Sequence, residues 1–193
     1  MAFAPGSVGE TLTMMQGVWH DHIRLFDLAG EALGEDLWSG TPGPSPFDNL
    51  VYIDFDGEIY RQTNVTFRGR PLHVRSFRGV LQDGMLRFGT LGPSDPSHVG
   101  VAAGPGQLIF SPLKVTEAWQ RYVEPDLIQL TGSHQRTRTT LLYREGVAVR
   151  TLLATGTKLS PTALTRHPSD PRGSGGPVHD EPRATMVFHG SKS

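Results

Sequence analysis

The 193-residue sequence contains no cysteine. Disulfides, thiolate nucleophiles and cysteine-based zinc sites are therefore excluded. It also lacks an excess of either charge: 18 Lys and Arg against 19 Asp and Glu leave a formal net charge of −1. Such a balance gives no general attraction to nucleic acid or to an acidic membrane surface, so neither is expected as a partner. No apolar run approaches the roughly 18 residues needed to cross a bilayer as a helix, so no membrane span is expected. The opening Met1-Ala2-Phe3-Ala4-Pro5-Gly6 has neither a basic n-region nor an apolar h-region. A signal peptide is not expected there, and the expected location is cytoplasmic. Walker loops, Gly-x-Ser-x-Gly elbows, His-Glu-x-x-His and dinucleotide fingerprints are all missing.

What is present is glycine (23) and proline (15), a composition that suits many turns between short strands. Strand-like runs follow one another: Val18–Leu28, Leu50–Phe55, Ile59–Phe67, Leu72–Leu81, Met85–Leu91, Val99–Ala103, Leu108–Leu113, Ala118–Val123, Leu127–Thr131, Thr137–Tyr143 and Val147–Thr155. Asp56-Gly57, Arg68-Gly69, Asp83-Gly84 and Glu145-Gly146 separate them. Asp-Gly between β-rich runs signals a hairpin, because a type I′ turn needs positive φ at both central positions. The long crossovers that a parallel sheet requires are missing. The sequence therefore predicts an all-β fold, an antiparallel up-and-down closed barrel of about eight to ten strands, since closure removes exposed edges. Val8–Gln16 is the best helical candidate, a short lid before the first strand. The expected organisation is an N-terminal extension over residues 1–11, a barrel over 12–159 and a tail over 160–193. The stretch up to about Gly9 and the Pro/Gly/Ser-rich tail both read as poorly ordered. Ala184–His189 reads either as part of that tail or as a short strand returning to the sheet.

Gly17-Val18-Trp19 stands at the start of the first strand. With the turn Phe26-Asp27-Leu28-Ala29-Gly30-Glu31, the run Arg61-Gln62-Thr63-Asn64 and the final hairpin Arg136–Gly146, it resembles the lipocalin-like calycin superfamily. Within that superfamily the pattern looks like a bacterial family of unknown function related to phycobiliprotein lyases. The resemblance implies that Trp19 closes the barrel floor under an arginine from a late strand. Of Arg136, Arg138, Arg144 and Arg150 on the last strands, Arg138 is the choice for that arginine, since it shares a face with Thr140 and Leu142. It also implies a cup holding a small apolar or amphipathic molecule. Haem-binding relatives usually continue Trp-x-Gly-x-Gly; here His20-Asp21-His22 follows Trp19, so haem is not expected.

His20 and His22, at i and i+2 on a strand, share one face. They read as an outward polar pair, as ligand hydrogen-bonding groups or as general bases, given an ordinary pKa of about 6.5. With no third ligand evident, no metal is expected. Tyr60, Gln62, Asn64 and Thr66 form one row and Ile59, Arg61, Thr63, Val65 and Phe67 the other. The first row is either a solvent face or a polar lining that orients a ligand. Trp119 and Arg121 are placed to stack on a flat ligand and bind a carboxylate, or to form a rim ion pair. Glu124, beside Pro125 at a strand end, is a candidate acid or base.

Two functions are expected to compete. One is a carrier or chaperone of a small apolar or amphipathic metabolite, with Trp19, Tyr60, Gln62, Asn64, Trp119, Arg121 and Arg138 as ligand contacts. The other is a cofactor-independent cyclase, isomerase or lyase of a natural-product or pigment pathway, with His20, His22 and Glu124 as catalytic groups. A filled scaffold barrel ranks behind both. No cofactor is expected, and a homodimer is compatible with the sequence.

Overall fold

A computed structural model describes residues 2–34, 46–67, 73–88, 98–112, 125–144 and 146–162. Among the described residues, one helix, α1 (Val8–Met15), precedes eleven strands. In chain order these are β1 (Gly17–Phe26), β2 (Ala32–Leu33), β3 (Phe47–Phe55), β4 (Ile59–Phe67), β5 (His73–Gln82), β6 (Met85–Phe88), β7 (His98–Gly104), β8 (Gln107–Pro112), β9 (Asp126–Gly132), β10 (Gln135–Arg144) and β11 (Val147–Ser160). From β3 onward each strand pairs with its successor, and β1 pairs with both β3 and β11. Ten antiparallel strands thus close into an up-and-down barrel, while β2 only adds a short ribbon to the end of β1.

Of the two Asp-Gly turns, one takes the expected primed form and the other does not: at Asp56-Gly57 only Gly57 has positive φ, and Asp56 Oδ1 instead accepts from the Glu58 and Ile59 backbone N–H groups. Asp83 and Gly84 both have positive φ, 52° and 74°, as a two-residue primed turn between β5 and β6 requires. Ile59–Phe67 is a strand with the expected bounds. The predicted strand Ala118–Val123, the separator Arg68-Gly69 and the segment Ala184–His189 lie outside the described residues.

α1 starts on a side-chain cap: Ser7 Oγ accepts from the Glu10 backbone N–H at 3.2 Å. Glu10 reaches back to accept from the Gly6 N–H at 2.5 Å, a variant of the capping box. The helix buries Val8, Leu12 and Met15 against Trp19, Val51, Ile53, Phe55 and Tyr60. It therefore closes one end of the barrel. The expectation of a loose stretch before Gly9 is corrected here. Phe3 stacks on Phe55 with ring centroids 5.7 Å apart, and it lies so close over Gly9 that a Cβ there would meet its ring at 2.3 Å. That aromatic contact holds the opening residues on the barrel floor.

The turns at 56–58, 83–84, 105–106 and 133–134 all lie at the helix end. The strand ends leading into 35–45, 68–72, 89–97 and 113–124 all lie at the far end. A second apolar cluster of Ile23, Leu25, Phe47, Leu142, Leu152 and Ala154 sits toward that end, where β1, β3, β10 and β11 meet.

Candidate functional site

Register decides which side chains face inward, because directly opposed residues share a face. Trp19 lies opposite Val51 on β3, and Asp21 lies opposite Asn49. Across the next ladder, Phe55, Ile53, Val51 and Asn49 oppose Tyr60, Gln62, Asn64 and Thr66. Trp19, Ile53, Phe55 and Tyr60 belong to the buried core, so this whole row points inward. Between the two apolar clusters the wall is polar.

The floor is built around Trp19, which is fully buried. Its indole N–H donates to the Met15 carbonyl at 2.7 Å, tying the strand to the end of α1. The Arg136 guanidinium lies 4.6 Å from the indole ring centre and Lys158 Nζ 4.8 Å from it. Both are cation–π contacts. Lys158 Nζ also donates to the Met14 carbonyl at 2.6 Å. Burial, and then the neighbouring Arg136 charge, hold the Lys158 ammonium below the usual lysine range.

The arginine over Trp19 is therefore Arg136, not Arg138. Arg136 lies opposite Gly156, which is itself opposite Asp21. That places it one step from Trp19, and it bonds both Asp21 oxygens at 3.1 and 2.7 Å. Arg138 sits two residues further from the floor and faces Ile128. Its Nε and Nη2 donate to the two oxygens of Asp126 at 2.9 and 3.0 Å, and Thr140 Oγ1 donates to the same carboxylate.

Tyr60, Gln62 and Asn64 are linked in series. Tyr60 Oη donates to Gln62 Oε1, and Gln62 Nε2 donates to Asn64 Oδ1 at 2.8 Å. Burial pushes the Tyr60 phenol well above the usual tyrosine range, although the Arg136 and Arg138 charges pull the other way. The phenol is thus a donor, not an anion, at neutral pH. Phe88 packs edge-on to Tyr60 with centroids 6.0 Å apart and contacts Phe110 at 5.8 Å. Room for these rings comes from Gly79 and Gly100, where a Cβ would approach Leu86 and Phe110 to 2.8 Å.

His20 and His22 lie on the outer face of β1. His20 Nε2 and His22 Nδ1 converge on one oxygen of Asp48 at 3.2 and 3.1 Å, and all three side chains are nearly half exposed. Neither histidine reaches the interior. Trp119, Arg121 and Glu124 lie outside the described residues. Sequence reasoning missed Asn49, Asp21 and Asp126 as interior groups, and it passed over Arg136, one of the four candidate arginines, for Arg138. Asp21 was accessible from its spacing, two residues after the inward Trp19. Asn49 needed the β1–β3 register.

A closed up-and-down barrel with Gly-x-Trp on its first strand and a late-strand arginine over that tryptophan is a lipocalin-like barrel. Solved structures share this fold. A phycobiliprotein lyase of the S type from Guillardia theta superposes with a TM-score of 0.57 at 14% identity, covering 79% of this chain and 92% of the lyase. A protein of unknown function from the DUF3598 family of Nostoc punctiforme gives 0.55 at 17% identity over 77% of this chain. The chain spans about half the length of the Nostoc protein, 49% of it. No protein-family model matches the sequence. No curated protein matches it either. Among the described residues, no helix is long and apolar enough to cross a membrane.

Proposed function

We propose that the barrel binds a small amphipathic molecule in its interior, above the Trp19 floor, as a carrier or chaperone. The observation that carries this reading is the inward row of uncharged polar side chains: Asn49 and Thr66 lie between the two apolar clusters, while Gln62 and Asn64 oppose Ile53 and Val51 of the first. A barrel serving only as a scaffold gains nothing from a buried amide oxygen left without a partner, as on Asn49, since it costs free energy unless bonded. Barrels of about eight to ten strands enclose a space suited to one small ligand. Kinship of fold with a phycobiliprotein lyase supports a ligand-handling role. A carrier is favoured over an enzyme because His20 and His22, the two strongest candidate bases, face outward.

The test is to incubate the protein with a small-molecule extract of its source, re-isolate it by gel filtration and analyse the bound fraction by mass spectrometry. A compound retained unchanged supports the carrier. A retained compound converted to a product supports the enzyme. An empty barrel contradicts both.

A further inference from the structure

Two amides on neighbouring strands stand side by side on the inner wall. Asn49 opposes Thr66 and Asn64 opposes Val51, so Asn49 and Asn64 occupy diagonal positions on one face of the β3–β4 ladder. Such diagonal neighbours are about 7–8 Å apart at the backbone, within reach of a group held between their side chains.

The hydrogen bonds give the two amides opposite polarity. Tyr60 is a phenol that donates its one proton to Gln62 Oε1. Gln62 is thereby turned to offer Nε2 to Asn64 Oδ1 at 2.8 Å. With its oxygen engaged by Gln62, what Asn64 has left to offer is its Nδ2 donor. Asn49 presents the reverse. It is only 6% exposed, and its Oδ1 is buried without a hydrogen-bond partner. A buried carbonyl oxygen in that state marks a place where a donor belongs. The nearby cations are already engaged: Asp21 holds Arg136 and Asp126 holds Arg138.

We propose that Asn49 and Asn64 together recognise a neutral N–H/C=O edge, that of a lactam, imide or carboxamide carried on an apolar frame. The ligand N–H donates to Asn49 Oδ1 and the ligand carbonyl accepts from Asn64 Nδ2. This assignment rests on the interior being the ligand site, and it names the chemical class that the site selects.

The test uses two fluorescent probes, the aromatic lactam naphthostyril and its N-methyl derivative, titrated into the full chain. The lactam is expected to bind about tenfold or more tightly than the N-methyl compound, the effect of one buried hydrogen bond left unmade. In Asn49→Leu that ratio falls to within about twofold of unity. In Asn64→Leu both probes weaken by about tenfold and their ratio is retained, because only the carbonyl contact is lost. Equal affinity of the two probes for the wild-type protein overturns the amide assignment and leaves the interior site standing. Absence of saturable binding by either probe overturns the assignment and the interior site with it. The wild-type ratio needs no variant to fold, so it decides the matter alone if either substitution is not tolerated.

Discussion

Arg136 and Asp21, 115 residues apart in the chain, form a two-bonded ion pair whose side chains are only 5% and 4% exposed. The same guanidinium lies over Trp19, so one side chain joins the last hairpin to the first strand and to the floor. Removing one partner leaves an uncompensated buried charge. Asp21→Ala and Arg136→Ala should each destabilise the fold by about 3–5 kcal/mol. The double replacement Asp21→Leu with Arg136→Met should cost less than the two single losses added together. Urea unfolding midpoints measure all three.

Gly156 is what lets that pair form. A Cβ at Gly156 would lie 2.3 Å from Asp21 Oδ1 and 2.8 Å from Arg136 Cγ. Gly156→Ala should therefore destabilise by about 2–4 kcal/mol, combining overpacking with a displaced ion pair. Gly132→Ala is the control, since nothing lies within 4 Å of its new methyl group. Its effect should stay within about 0.5 kcal/mol.

Tyr60 predicts an alkaline limb of the stability curve. Its pKa is raised in the folded protein above the ordinary value of 10.0. The unfolded chain therefore loses this proton first, and unfolding is favoured as pH rises. The contribution is fully present below pH 10 and is lost above it. Tyr60→Phe should flatten the decline above that pH. At neutral pH the variant should lose about 1 kcal/mol, because Gln62 Oε1 is left without its donor. Thermal melts of both proteins in a pH series give the comparison.

Asn49→Leu should behave in the opposite sense to most core substitutions. It removes a buried oxygen that has no partner and keeps the number and branching of the side-chain heavy atoms. Stability of the ligand-free protein should rise by about 1 kcal/mol. A drop of that size instead would show that the oxygen is satisfied in solution. Urea denaturation is sufficient to decide.

The barrel was legible because its signals are local. The Asp-Gly turns, the bounds of β4 and the Gly-x-Trp motif each sit within a few residues of sequence. Facing was less legible. On β4, Tyr60 and Val65 are both buried, at 1% and 3% exposure, although they lie on opposite faces. Alternation alone therefore did not decide whether Gln62 and Asn64 looked in or out. The β3–β4 register decided it, and register is a long-range property. For the same reason Arg138 looked as good a partner for Trp19 as Arg136. Both occupy the inward row of β10, and only the pairing with β11 places Arg136 beside Asp21.

The most direct test of an interior ligand site is a titration with the apolar fluorophore 1-anilinonaphthalene-8-sulfonate. It compares the wild-type protein, the interior-filling variant Asn64→Trp and the outer-face variant His20→Ala/His22→Ala. An interior site predicts saturable one-to-one binding by the wild type, retention within about twofold in the double histidine variant, and loss of at least about tenfold in a folded Asn64→Trp. Binding that is absent in the wild type, or unchanged by Asn64→Trp, would contradict it.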